Sequence, residues 1–381
     1  MTDKVEEEEE ETTLFYFEGI EKNVEIEFSP LPSSPHQEED SKKKDEGGRK
    51  LTPKNLRDVP RKVWDEVLEA GQCSILDHVS NEFFDSYILS ESSMFVYPFR
   101  VIIKTCGRTI PLDCVPLLRK YAKDLLGLGV SAIDFRRKNY SFPKDQVGPH
   151  TSFEEELKKL KMVARPLVGD GVVVGDRNGE YWCTFSTKRK CVADETATHP
   201  GDPPPSTIHV IMYDIEPSRA ACFVSNKENT NSSAAKELGL AALVSGSPAG
   251  DAEKRMSKNV QYHGFMFDPC GYSMNGLNGS DYFTVHITPE SHCSYASFEA
   301  RCSTSSRFAS MTRFVTEKLR PKRFAVIVER STAAKESETS TVIPGYVRVA
   351  RTETSVRENS AVCSITRYLA GVGQGVSKRS E

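Results

Sequence analysis

The sequence predicts an α+β fold dominated by antiparallel β-sheet. Short apolar runs with a period of two recur at hairpin spacing along much of the chain. Helical periodicity is confined to a few stretches. Strands and helices come in blocks, without the strict βαβ alternation of a parallel sheet.

Taken in order, the elements read as follows. Residues 1–13 contain the run Glu6 to Glu11 and are expected to be a disordered tail, because like charges in a block repel. In residues 14–28, Val24, Ile26 and Phe28 alternate as a strand does. Residues 29–50 have no hydrophobic period and are rich in Pro, Ser and charge, which reads as a flexible insertion. The structured body starts near Asp58. Pro60 opens and Gly71 closes a helix containing Val63, Trp64, Val67 and Leu68. CSILDHVS, FDSYILSESSMFV and RVIIKTC follow as strands, then Pro116 to Leu126 as an amphipathic helix. Ser152 and Glu155 fit a capping box ahead of the helix EEELKKLKMV. GVVVGDRNGEYWCTF is a strand, a turn at Asn178–Gly179 and a strand. TIHVIMYDI is a strand, and AAKELGLAALV a short helix between polar segments. FMFDPCGYSMNGLNGSDYFTVHITPE and SYASFEAR are strand-rich. A helix from Arg307 to Leu319 and the strands FAVIVER and GYVRVAR close the body. Residues 371–381 are expected to be a flexible tail, and no internal sequence repeat is evident.

Composition narrows the function. Over 381 residues, 38% hydrophobic and 27% charged content is enough to build a soluble core. No apolar run approaches the ~18 residues of a membrane helix, so no membrane role is expected. Lys plus Arg is 50 and Asp plus Glu is 54, leaving no basic excess for nucleic acid. The acidity sits in the first 50 residues, which hold 16 acidic and 7 basic side chains, so the folded body is near neutral. The chain opens with acids and shows no secretory signal. Its ten cysteines form no CxxC pair and read as reduced thiols of a cytoplasmic protein. The eight histidines are dispersed, so no metal is expected.

Five segments carry candidate chemistry: FEGIEK (17–22), LSESSMF (89–95), KTCG (104–107), FDPCGYSMNG (267–276) and TVHITPE (284–290). Each alone has a bland explanation: a serine-rich turn, a turn-rich strand end, a buried histidine, an inert thiol. In this order and at these separations they resemble the eukaryotic-type S-adenosylmethionine decarboxylase proenzymes, which use a pyruvoyl group. The resemblance covers roughly residues 14–350, with poor matching over 140–260.

The resemblance implies a four-layer α/β/β/α sandwich of two mainly antiparallel sheets, formed by a domain spanning 14–370. It implies that the chain cuts itself between Glu91 and Ser92 into a β chain, 1–91, and an α chain, 92–381. Ser92 becomes the pyruvoyl group and forms a Schiff base with the substrate amino group. Ser273 and His286 take processing roles, and Cys106 is the proton donor that keeps the pyruvoyl group from transamination. Phe17 and Phe267 sandwich the adenine, Glu290 accepts the ribose hydroxyls, and Glu91 lines the substrate site. Glu18 and Glu21 match acidic residues needed for activity. Glu21, Glu25 and Glu299 match the acidic cluster that binds putrescine in animal enzymes. His209 falls where that cluster has a further acid and Asp134 near an aromatic member, so weak putrescine dependence is expected. Relatives occur as homodimers and as monomers. The implied product is decarboxylated S-adenosylmethionine, the aminopropyl donor for spermidine and spermine. Two alternatives stay open, a catalytically silent regulatory paralogue and an adenosyl-binding module. Failure to cleave at Glu91–Ser92 favours either one.

Overall fold

In a computed structural model, sixteen strands among the described residues form two eight-stranded antiparallel sheets. The described residues are 17–31, 55–187, 206–226, 230–239, 260–302, 305–332, 342–356 and 361–371. The first sheet holds β1 (Lys22–Pro30), β2 (Ile75–Ser80), β3 (Asp85–Leu89), β4 (Ser92–Tyr97), β5 (Arg100–Thr105), β6 (Leu128–Lys138), β7 (Gly169–Gly175) and β8 (Tyr181–Thr187). The second holds β9 (Ser206–Tyr213), β10 (Val260–Met266), β11 (Tyr272–Asn278), β12 (Asp281–Thr288), β13 (Tyr295–Cys302), β14 (Arg323–Ser331), β15 (Tyr346–Val356) and β16 (Ala361–Ala370).

The strand orders are β2-β3-β4-β5-β1-β6-β8-β7 and β10-β11-β12-β13-β9-β14-β16-β15. Each strand of the second sheet takes the place of the strand eight numbers lower in the first. The two halves therefore repeat one topology, although the sequence shows no repeat. Backbone pairing carries this likeness, and it does not require the side chains to match.

Helices α1 (Arg61–Ala70), α2 (Cys114–Leu126) and α3 (Phe153–Val163) pack on the first sheet. Trp64, Val67, Leu118 and Leu160 bury there against Val24, Ile26 and Phe28 of β1. After the short α4 (Pro217–Ala220), α5 (Asn231–Leu238) and α6 (Phe308–Leu319) cover the second sheet through Leu238, Met311, Val315 and Leu319. This is the four-layer arrangement expected. α1 ends where expected, with Pro60 at its N-cap and Gly71 at its C-cap. α2 begins two residues ahead of Pro116, since proline is tolerated in a first helical turn. Ser152 caps α3 by accepting the Glu155 N–H at 3.2 Å.

Two strands escaped the periodicity reading. β6 ends in Arg136, Arg137 and Lys138, a run that reads as solvent-facing, yet all three are buried. Arg136 reaches Glu25 at 2.9 Å and Glu329 at 2.7 Å, and Arg137 reaches Glu156 at 2.8 Å. Burial of this kind is tolerable only when each charge is paired and hydrogen-bonded. β16 lies between β14 and β15, so β15 is the sheet edge, with Val347 exposed. β1 runs to Pro30, so the segment expected to loosen from Ser29 is still strand there. The acidic tail 1–13, the rest of that insertion from 32, the helix beyond Gly239 and residues 372–381 lie outside the described residues.

The alternation of β1 explains the layer between the sheets. Val24, Ile26 and Phe28 face the helices. The opposite parity carries Glu21 and Glu25 toward β13 of the second sheet. Aliphatic and aromatic patches, one around Trp182, Ile211 and Ile327 and one around Phe95 and Tyr282, contribute to the same interior.

Candidate active site

Ser90 and Glu91 form the two-residue turn between β3 and β4, and Ser92 opens β4 opposite Leu89 and Thr105. Ser92 sits at φ 136°, a region that L-residues with a side chain rarely occupy. The carbonyl of Glu91 accepts two hydrogen bonds from one residue. Cys106 donates its N–H at 2.9 Å and its thiol at 3.2 Å. Donors aimed at a carbonyl oxygen stabilise the negative charge that develops there on nucleophilic attack.

The second sheet supplies the serine and histidine that face this turn. Ser273 on β11 and His286 on β12 are directly paired across the ladder. Ser273 Oγ lies 2.8 Å from His286 Nδ1, and Ser92 Oγ lies 3.0 Å from His286 Nε2. Burial holds His286 well below the ordinary imidazole range. Lys104 adds to that effect and Glu299 opposes it. The ring is therefore neutral at physiological pH and able to accept a proton.

Substrate-side candidates surround the turn. Gly107, at φ +62°, lies where a Cβ would come within 3.2 Å of the Phe17 ring and 3.3 Å of the Glu91 carboxylate. Glycine therefore lets both approach the end of β5. Burial raises the Glu91 carboxyl, with Lys22 pulling it back. Phe267 packs edge-on against Phe265 at 5.1 Å, beside Gly271. Glu290 Oε2 is buried with no hydrogen-bond partner among the described residues, an acceptor open to a ligand.

The two acids of the first motif separate. Glu18 accepts the N–H groups of Ile20 (3.1 Å) and Phe142 (2.7 Å), so it fixes backbone. Glu21 accepts from Tyr295 at 2.9 Å and from Ser297, and its charge reaches Cys106. Lys22, fully buried, donates to Gly107 O at 2.8 Å and Gln146 at 3.1 Å. Desolvation lowers its pKa to about 8.

Glu25 and Glu299 are each held among cations of the chain. Glu25 pairs with Arg136 and with Arg301 at 2.8 Å, and Arg100 lies 3.8 Å away. Glu299 pairs with Lys104 and with His209 Nδ1 at 2.9 Å. Burial pushes the Glu299 carboxyl up, but Lys104 and His209 outweigh it and hold it well below the carboxylate range. Asp134 lies 3.5 Å from Arg136.

The structure thus gathers Glu91, Ser92, Cys106, Ser273 and His286 around one peptide bond. Sequence reasoning passed over Ser93, Asn275, Thr284, Lys22 and Lys104. One signal was available. Asn275 is two residues from Ser273, Thr284 two from His286 and Lys104 two from Cys106, so strand parity puts each pair on one face. Among the described residues, no cluster of three or more His, Cys, Asp or Glu could hold a metal. No helix there is long and apolar enough to cross a membrane.

The family model for adenosylmethionine decarboxylase matches residues 14–368. The S-adenosylmethionine decarboxylase proenzyme of Dictyostelium discoideum is 34% identical over 308 residues, covering 81% of this chain and 73% of its own. The proenzyme of Zea mays is 33% identical over 320 residues, covering 82% and 71%. That of Drosophila melanogaster is 32% identical over 321 residues, covering 82% of both. The crystal structure of the Trypanosoma brucei AdoMetDC-delta26 monomer shares the fold, with a TM-score of 0.52 and 24% identity over 73% of this chain and 99% of that one. Fold and relatives define an enzyme built on two antiparallel sheets. The chain belongs to the adenosylmethionine decarboxylase family, as its motifs implied.

Proposed function

We propose that the chain is a self-processing decarboxylase of S-adenosylmethionine whose pyruvoyl group derives from Ser92. The observation that carries this reading is the Glu91–Ser92 peptide. Its carbonyl is held by both donors of Cys106, and its serine hydroxyl is 3.0 Å from a neutral imidazole. Its backbone is held at a φ that peptides avoid.

The chemistry follows from that arrangement. Ser92 Oγ bonds to the Glu91 carbonyl carbon as His286 Nε2 takes the hydroxyl proton, and Cys106 stabilises the oxyanion. The C–N bond breaks, the nitrogen takes the proton, and the amide becomes an ester. His286 then removes the Ser92 α-proton. The Cβ–O bond breaks, Glu91 leaves as a carboxylate, and residue 92 becomes dehydroalanine. Addition of water releases ammonia and leaves a pyruvoyl cap on 92–381. That group supplies an electron sink for the loss of carbon dioxide. The unpartnered Glu290 oxygen suits the ribose hydroxyls, and Phe17 and Phe267 offer aromatic faces for the adenine and the sulfonium. Cys106 returns a proton to the substrate carbon. The product is decarboxylated S-adenosylmethionine, the aminopropyl donor for spermidine and spermine.

Intact mass spectrometry of freshly expressed protein tests this. Two fragments are expected, 1–91 and 92–381, the larger lighter by one ammonia than a serine-started chain. A single full-length mass would sink self-processing. Fragments that release no carbon dioxide from the substrate would leave the adenosyl-binding reading in its place.

Processing is proposed to need little putrescine. The carboxylates that would attract a diamine already face cations of the chain: Lys104 and His209 on Glu299, Arg136 and Arg301 on Glu25. The cavity lined by Glu21, Asn23, Lys104, His209 and Glu299 is about 10 Å³, room for one water. A diamine with no preferred state to bind cannot shift the rate. Cleavage with and without millimolar putrescine is expected to agree within about twofold, followed by mass over time. A large acceleration would contradict this.

A further inference from the structure

Three hydroxyls compete for the nitrogen that activates Ser92. Thr284 Oγ1 lies 2.8 Å from His286 Nε2, Ser92 Oγ 3.0 Å and Ser93 Oγ 3.3 Å. A bare imidazole nitrogen has one lone pair and accepts one proton. By distance alone Thr284 would fill it, and Ser92 would lose its acceptor.

Asn275 on β11, fully buried, alters that competition. Its Oδ1 lies 2.7 Å from both Ser93 Oγ and Thr284 Oγ1, and an amide oxygen has lone pairs for both. Its orientation is set from the other sheet, because Nδ2 donates to Tyr87 O of β3 at 3.1 Å. Flipping the amide would put Oδ1 against that carbonyl. In the tautomer that self-processing requires, Ser273 accepts from Nδ1–H and Nε2 is bare. The charged groups whose fields reach the ring, Lys104 on β5 and Glu299 on β13, are paired with each other. The choice among hydroxyl protons therefore falls to Asn275.

We propose that Asn275 is a positioning residue for chain cleavage: it takes the hydroxyl protons of Ser93 and Thr284 and so reserves the His286 lone pair for Ser92. This rests on the self-processing reading. It gives the neighbouring hydroxyls an unusual part, since they have to be kept from donating and are not otherwise needed.

That feature makes the test sharp. Cleavage is followed by intact mass in the full chain, with the parent alongside. Asn275→Ala is expected to slow cleavage by at least about tenfold. Adding Thr284→Val and Ser93→Ala to Asn275→Ala removes the competitors and is expected to recover most of the lost rate. A merely structural asparagine predicts the reverse, a triple variant slower than the single one. Should Asn275→Ala not fold, Thr284→Val with Ser93→Ala in a chain that keeps Asn275 decides instead, with cleavage near the parental rate expected. The proposal is overturned if Asn275→Ala cuts like the parent, if the triple variant is no faster than the single one, or if the chain lacking only the two hydroxyls is slow. A parent that itself stays whole counts against self-processing, a separate result.

Discussion

His286→Ala is expected to leave the chain whole, or to slow its cleavage by about 10²–10⁴-fold, the usual worth of a positioned base. His286 Nε2, 3.0 Å from Ser92 Oγ, is the proposed acceptor of its proton. Without it the serine proton has no route off the oxygen, and the two Cys106 donors stabilise an oxyanion that does not form. Ser92→Ala should give the same whole chain for a different reason, loss of the nucleophile and of any source for the pyruvoyl group. The pH dependence separates the base from a packing residue. Burial lowers the proton affinity of His286, so the neutral ring persists as pH falls through the ordinary histidine value. Cleavage should therefore be level from about pH 8 to about pH 6 and decline only below that, where the ring takes a proton. Mass spectra of parent and His286→Ala across that range check both points. A parental rate that halves at the ordinary value, or an alanine variant that cuts normally, would remove His286 from the reaction.

Local structure was legible in the sequence, and long-range pairing was not. The hairpin around Glu91 and Ser92, the helix bounded by Pro60 and Gly71 and the alternation of β1 each rest on a few adjacent residues. Period and turn rules read such features directly. β6 was hidden because its Arg136, Arg137 and Lys138 look like a solvated end. What buries Arg136 is Glu25, 111 positions earlier, and Glu329, 193 positions later. The same distance hid Asn275. It sits inside a quoted motif, but its partner Ser93 comes from the other sheet, 182 residues away. The duplicated strand order left no trace either, because it is a property of backbone ladders. The site is built where the two copies of that order meet. The first contributes the Glu91–Ser92 peptide and the second the His286 ring beside it, so the proposed cleavage draws on both halves.

Cys106 serves both of the proposed reactions, and substituting it should split them. Its N–H and thiol both bond the Glu91 carbonyl, so part of its cleavage role survives any side-chain change. Cys106→Ser keeps a side-chain donor there and is expected to cut within about tenfold of the parent. Decarboxylation is a different demand, because the residue must surrender its proton to carbon. A serine hydroxyl is a far weaker acid than a thiol, so carbon dioxide release per cleaved chain should fall by about 10²–10⁴-fold. Turnover normalised to the 92–381 fragment measures this, and a Cys106→Ser enzyme that turns over like the parent would remove Cys106 as the donor. The pH profile carries the sign. Burial first, then Glu91 and Glu21, push the thiol well above its ordinary value, with Lys22 pulling it back. The donor form is therefore retained on the alkaline side, and no loss of turnover from Cys106 is expected between about pH 7 and about pH 9. A decline near the free-thiol value would mean that cleavage opens the pocket to water, because burial is what keeps that proton in place.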